Sequence, residues 1–271
     1  MHGAGNDFVV IDTRAWEKKL SSQLAVKLAD RRFGIGCDQV VVLEKSARAD
    51  VFMRLFNADG DEIGACGNAS RCIAKLICEE KSVSEMTLET LAGVLSAKRE
   101  EDGYTVNMGE PKWEWRDIPL SESRNTLHLG LEEGVLMDPV AINIGNPHMI
   151  FFARDIDKVN LALLGPKLEH HPLFPARVNV SAAQVLSPEH LRIKTWERGA
   201  GLTLACGSAA CASVVAGVRR ELCARKVQVD VPGGTLNIDW RTAENNTASN
   251  GYVLMTGPAQ TVFEGNISLH V

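Results

Sequence analysis

Cys66-Gly67-Asn68-Ala69 and Cys206-Gly207-Ser208-Ala209 are one short phrase written twice, and each copy opens an amphipathic run of helical spacing. In the first, Ile73, Leu76 and Ile77 recur at helical intervals over Asn68 to Glu80. In the second, Val214, Val215, Val218 and Leu222 do so over Gly207 to Leu222. The fold must therefore hold two helices that each begin on a thiol. A helix N-terminus carries unpaired N–H groups and the positive end of the dipole, so it favours thiolate over thiol and attracts a carboxylate. Two such ends facing one another would place an acidic group on either side of a bound anion, which suits removing a proton from one face of a carbon and returning one to the other.

The rest of the chain reads mainly as short strands. Phe8 to Ile11, Val40 to Leu43, Val51 to Phe56, Met86 to Leu91 and Tyr104 to Met108 fill the first half. Ala141 to Ile144, His148 to Phe152, Leu191 to Trp196, Val227 to Val231, Leu236 to Trp240 and Tyr252 to Met255 fill the second. Pro232-Gly233-Gly234 marks a hairpin. Two further helices are expected, Gln23 to Arg32 and Val159 to Leu168, and Thr242 to Gly251 is expected to be a solvated loop. The halves meet near Pro111-Lys112-Trp113. No strict repeat extends beyond the Cys phrases, so a duplication is suspected on those phrases alone.

At 271 residues and 45% hydrophobic, the chain can fill one large core or two ordinary ones. A net charge of −5 with no basic run argues against nucleic acid as a partner. There is no signal segment, and the longest mostly apolar stretch, Ala209 to Val218, is too short for a bilayer. A soluble, cytoplasmic protein with no membrane partner is the expectation. Seven cysteines without a secretion signal argue for reduced thiols. No C-x-x-C occurs, and Cys66, Cys72 and Cys78 are spaced so as to point to different sides of a helix, so no metal is expected. Cys37, Cys72, Cys78, Cys211 and Cys223 read as packing residues. Cys66 and Cys206 do not, since each precedes a Gly and a capping-type residue at a helix start.

Other polar clusters fall at strand ends beside these helices. Asn57-Ala58-Asp59-Gly60 reads equally as a turn, Gly145-Asn146-Pro147-His148 as a tight loop, and Trp196-Glu197-Arg198-Gly199 as a surface ion pair. Their joint arrival around the two Cys phrases favours a site.

Read together, Met1-His2-Gly3-Ala4-Gly5-Asn6-Asp7-Phe8, Gly34-Ile35-Gly36-Cys37-Asp38-Gln39, Asn57-Ala58-Asp59-Gly60, Ala65-Cys66-Gly67-Asn68, Gly145-Asn146-Pro147-His148, Glu197-Arg198-Gly199-Ala200-Gly201 and Ala205-Cys206-Gly207-Ser208 resemble the signature set of the diaminopimelate epimerase family, in that family's order and across nearly the whole chain. The resemblance implies an α+β fold of two similar lobes, each a mostly antiparallel sheet wrapped around a central helix, with the active site in the cleft between them. It implies a first lobe over 1–111 carrying Cys66, a second over 112–251 carrying Cys206, and a segment 252–271 that returns to the first. It further implies a homodimer, to which Phe263 contributes, and an enzyme without cofactor that converts LL-2,6-diaminopimelate to the meso form for lysine and peptidoglycan precursors. Carried over by motif, Cys66 and Cys206 move the protons and His148 and Glu197 tune them. Asn6, Gln39, Asn57, Gly67, Asn68, Asn146, Asn179, Glu197, Arg198, Gly207 and Ser208 bind the substrate. Relatives usually have a few residues of strand before the Met-His pair, so an edge strand is expected to be missing or the start codon misassigned.

An ordinary thiol is only about 3% thiolate at neutral pH, yet stereoinversion needs one thiolate and one thiol together. His148 is therefore expected beside one sulfur and Glu197 beside the other. Arg198, with Asn57 and Asn179, is expected to grip the distal carboxylate. Three alternatives stay open. A proline or hydroxyproline racemase would share the two-thiol logic, although such enzymes usually have His where this chain has Asn68. A related dehydratase would have lost one thiol. A redox switch would join the two lobes by a reversible disulfide.

Overall fold

The computed structural model describes residues 1–16, 19–242 and 250–268. Its main element is one sixteen-stranded sheet, and the order of that sheet contains a repeat that the sequence hides. Starting from one edge, the strands run His2–Gly3, Asn6–Asp12, Gln39–Glu44, Val51–Asn57, Glu85–Thr90, Gly93–Glu100 and Gly103–Asn107. Successive pairings are antiparallel, parallel, antiparallel, parallel, antiparallel, antiparallel. From the opposite edge, Val140–Asn143, Pro147–Phe152, Asn179–Ser187, His190–Glu197, Lys226–Val231, Gly234–Arg241 and Tyr252–Gly257 pair in the same series of senses. Even the side strands correspond, Glu62–Ile63 on Val51–Asn57 and Gly201–Leu202 on His190–Glu197.

The helices repeat as well. Helix α1 (Ser22–Ala29) connects the second and third strands of the first set, and α3 (Leu161–Glu169) connects their counterparts in the second. Helices α2 (Gly67–Lys81) and α4 (Gly207–Arg219) follow the side strands. Parallel neighbours need a long crossover, which these four helices supply. The architecture is α+β, two similar halves of mostly antiparallel sheet around a central helix.

Packing explains the long apolar runs. In Gln39–Glu44, Val41 and Leu43 face α2, where Cys72, Ile73 and Ile77 are fully buried, while Val40 and Val42 face α1. A strand covered on both faces reads as continuous hydrophobic sequence instead of alternating. In the second half Ile142 and Ile150 meet Cys211, Val214 and Val215 of α4, and Ala141, Met149 and Phe151 meet Leu161, Leu164 and Leu168 of α3. Cys37, Cys72, Cys78 and Cys211 are buried as expected, and Cys223 is half-buried against the α4 core.

The two sets join where Tyr252–Gly257 pairs with Gly234–Arg241 on one side and with Gly103–Asn107 on the other. Val253 and Met255 of this strand pack in the core around α4. Beyond it, Gln260 pairs with His2 at the first edge. The end expected for this returning segment, Leu269 to Val271, lies outside the described residues, as do 243–249 of the expected loop. Among the described residues no helix is long and apolar enough to cross a membrane.

Candidate active site

Helices α1 and α3 are capped by side chains: Ser21 accepts from the Leu24 N–H and Asn160 from the Leu163 N–H. The caps of α2 and α4 are Cys66 and Cys206, and neither makes a side-chain cap hydrogen bond. The first-turn N–H groups of these two helices are therefore left for another acceptor, which is the local condition for an anion site.

The two uncapped ends meet. Asn68 Nδ2 donates to the Ala205 carbonyl at 3.0 Å and to Asn6 Oδ1 at 3.1 Å, so the start of α2 is tied to the residue preceding Cys206. A Cβ at Gly207 would lie 3.3 Å from Asn68 Oδ1 and 2.7 Å from Met255 Sδ, and one at Gly67 would lie 2.5 Å from Met255 Cε. Gly at both positions lets the helix starts close over Met255.

Around Cys66, the sulfur lies 3.8 Å from Asn6 Oδ1, and the main-chain N–H groups of Asn68 and Ala69 face it. Burial nevertheless pushes its pKa up to about 11, helped by the charge of Glu197. Cys206 is 5% exposed, its sulfur 3.6 Å from Ser208 Oγ, and burial followed by the Glu197 carboxylate holds its thiol well above the ordinary range. The helix ends act in the expected direction, yet desolvation outweighs them, so both thiols are protonated at neutral pH.

Glu197 is placed beside Cys206. Its carboxylate accepts from Thr203 Oγ1 and meets the Cys206 thiol, and burial raises its own pKa. His148 is fully buried, with Nε2 2.8 Å from Asn146 Oδ1 and Nδ1 without a hydrogen-bond partner among the described residues. Burial, with the nearby Arg198 charge, lowers its pKa to about 3, so the ring is neutral. It makes no hydrogen bond to either sulfur; the expected pairing is present at Cys206 and is replaced at His148 by Asn146. The group facing Cys66 is instead Asn6, whose amide was read from sequence as a substrate contact.

Asn179, nearly fully buried, accepts from the Arg198 main-chain N–H at 2.9 Å and donates to the Pro147 carbonyl at 3.0 Å. Arg198 is exposed and donates from Nη1 to the Ala176 carbonyl. Asn57 is not part of that pair. It accepts from Gln39 Nε2 at 3.0 Å, and the buried Gln39 Oε1 has no partner among the described residues. Arg71 and Asp38 were missed by sequence reasoning. Arg71 is fully buried and donates to Asn68 Oδ1 at 2.9 Å. Among the described residues no three of His, Cys, Asp or Glu gather as metal ligands.

The model of the diaminopimelate epimerase family matches residues 1–114 and 140–262. The chain belongs to that family. A diaminopimelate epimerase of Gluconobacter oxydans (strain 621H) is 51% identical over 267 residues, covering 98% of this chain and 96% of that protein. One of Acidiphilium cryptum (strain JF-5) is 48% identical over 270 residues, covering 98% and 94%. Among solved structures, a probable proline racemase from Agrobacterium radiobacter K84 with bound carbonate superposes with a TM-score of 0.69 at 16% identity, over 99% of this chain and 91% of that one. A phenazine biosynthesis protein of the PhzF family from Bacillus anthracis gives 0.67 at 15%, over 95% and 92%. At such identity these two structures show the fold of this chain and nothing about substrate.

Proposed function

We propose that the chain is an isomerase that epimerises LL-2,6-diaminopimelate to the meso form without a cofactor, with Cys66 and Cys206 as the proton-transfer pair. The observation that carries this reading is the meeting of two helix N-termini that are both uncapped and both led by a thiol. Family membership supplies the substrate.

The α-hydrogen of an amino acid is far less acidic than any side chain, and a general base contributes only about 10²–10⁴-fold. Preorganised donors at developing oxyanion charge add about 3 kcal/mol each. The first-turn N–H groups of α2 and α4, with Asn68 and Ser208, would grip the reacting carboxylate as its charge grows. One sulfur takes the proton from one face while the other delivers its own to the opposite face. In this reading Glu197 would take the Cys206 proton once substrate is bound, making Cys206 the base, while Cys66, facing the Asn6 carbonyl oxygen, would deliver its own as the acid. The reverse reaction exchanges these roles. Gln39 Oε1, a buried acceptor unpaired among the described residues, would suit an ammonium, and Arg198 with Asn57 and Asn179 would grip the distal carboxylate. Asn6, Gly67, Asn146 and Gly207 complete the lining, and His148 holds Asn146 in place.

The cleft in this reading separates a first lobe of residues 1–111 from a second of 112–251, in a cytoplasmic homodimer. The exposed Val262 and Phe263 support the dimer, and light scattering on the purified chain tests it.

The function is tested by following the α-proton of LL-diaminopimelate in D₂O with added reductant by NMR, for wild type, Cys66→Ala and Cys206→Ala, with L-proline and L-hydroxyproline as controls. Deuterium uptake and inversion on diaminopimelate alone, with inversion lost in both variants, is the expected result. Uptake on a proline instead, or on nothing, overturns it.

A further inference from the structure

Arg31, Asp38, Asn6, Asn68 and Arg71 form one unbroken line of hydrogen bonds into the site. Arg31 Nη2 donates to Asp38 Oδ1 at 2.8 Å, Asn6 Nδ2 to Asp38 Oδ2 at 2.9 Å, Asn68 Nδ2 to Asn6 Oδ1 at 3.1 Å, and Arg71 Nη2 to Asn68 Oδ1 at 2.9 Å. An amide can turn over and exchange its donor for its acceptor, but a guanidinium only donates and a carboxylate only accepts. With Arg71 at one end and Asp38 at the other, neither Asn6 nor Asn68 has a second orientation that keeps these bonds.

We propose that Arg71 and Asp38 are positioning residues that lock the Asn6 and Asn68 amides, so that Cys66 always meets the carbonyl oxygen of Asn6 and never its N–H₂ group. The inference rests on the reading of Cys66 as a proton-transfer residue. An acceptor opposite the sulfur holds the S–H proton, 3.8 Å from Asn6 Oδ1, and disfavours thiolate. The two thiols thus meet different partners: Cys66 a neutral amide oxygen, Cys206 the carboxylate of Glu197, whose charge raises that thiol further. The same lock aims Asn68 Nδ2 at Ala205 and fixes the two helix starts together.

Arg71 is built for this task more than for ion pairing. It is fully buried, and among the described residues its partners are Asn68 Oδ1, the Met255 sulfur and the Pro258 carbonyl, none of them a carboxylate. Burying a guanidinium without a counter-ion is costly, and the polarity of the amide line is what that cost maintains. The charged and titratable groups that face Cys66 are Glu197, Arg71 and Cys72. Asp38 is half-exposed, so its replacement leaves the core intact.

The test is the pH dependence of iodoacetamide alkylation at Cys66, read by peptide mass spectrometry, for wild type, Asp38→Asn, Arg71→Gln, the double variant Asp38→Asn/Arg71→Gln and the double variant Asp38→Asn/Arg71→Lys. Each single variant keeps one fixed end, which still sets both amides, and is expected to keep the wild-type profile. In Asp38→Asn/Arg71→Gln both ends can donate or accept, the Asn6 amide is free to turn its N–H₂ to the sulfur, and alkylation at pH 7 is expected to rise about tenfold, one unit of thiol pKa. Asp38→Asn/Arg71→Lys removes the same carboxylate but keeps an end that only donates, and is expected to stay at the wild-type profile. A profile for Asp38→Asn/Arg71→Gln that matches wild type, or one that Asp38→Asn alone or Asp38→Asn/Arg71→Lys reproduces, overturns the proposal. This readout needs no substrate, so it stands apart from the diaminopimelate exchange experiment: silence there with a shift here refutes the reaction and keeps the lock.

Discussion

The amide of Asn68, in the first turn of one Cys-led helix, donates to the carbonyl of Ala205, the residue that precedes the other cysteine, at 3.0 Å. That bond crosses between the two halves of the molecule at the point where the chemistry is proposed. Asn68 also bonds Asn6 and accepts from Arg71. Truncating it leaves a buried guanidinium and a buried carbonyl each short of a partner, so Asn68→Ala is expected to lose about 1–3 kcal/mol in urea unfolding. A variant as stable as wild type would mean that water replaces all three bonds.

The glycines of the two Cys phrases are expected to be intolerant for a steric reason and to be coupled to one residue. Gly207→Ala places a Cβ 2.7 Å from the sulfur of fully buried Met255, and a cost of about 1–3 kcal/mol follows from overpacking. Combined with Met255→Ala the loss is expected to be smaller than the sum of the single losses, read as a double-mutant cycle by denaturant unfolding. Strict additivity would place the strain elsewhere.

His148 gives the stability a particular pH dependence. Its pKa falls from 6.5 in the unfolded chain to about 3 in the native one. Between those values the unfolded chain binds a proton that the native protein refuses, so this residue's contribution is complete above about pH 6.5. It is lost as pH falls, by about 1.4 kcal/mol per unit, until about pH 3. His148→Gln is expected to flatten that acid limb in unfolding curves taken across this window. An unchanged slope would show the ring protonated in the folded protein.

Arg198 holds the Asn179 amide through its main chain while its guanidinium is exposed. Arg198→Lys keeps the main-chain bond and loses the planar fork, so KM for diaminopimelate is expected to rise about tenfold or more with stability within about 0.5 kcal/mol of wild type. A KM near wild type would show that the distal carboxylate is read by other residues.

What the sequence disclosed followed the strength of local signals. The runs at Val40–Leu43 and His148–Phe152 are strands because both of their faces are covered, and α2 and α4 begin where the Cys phrases put them. Two long strands escaped, besides several of two residues. Gly93–Glu100 lies between two neighbours but buries little besides Ala97, so its side chains carry no strand pattern. Asn179–Ser187 is buried through Ser181, Ala182 and Ala183, residues too small to show a hydrophobic pattern. The helix expected to run to Arg32 stops at Ala29 because the Asp30 carboxylate turns back to the N–H groups of Arg32 and Phe33. The duplication was visible only in the Cys phrases, since sheet order and strand sense repeat without repeated residues. At the site, residue types announced the thiols and Glu197. The burial of Arg71 and the unsatisfied edges of Gln39 and His148 exist only once distant segments meet.

Met255 lies beneath both helix starts, on the strand that closes the sheet between the two halves. A chain in which that strand has yet to pair has no floor under either helix start, so the surroundings of the two cysteines are completed in one event, when the strand joins the two halves.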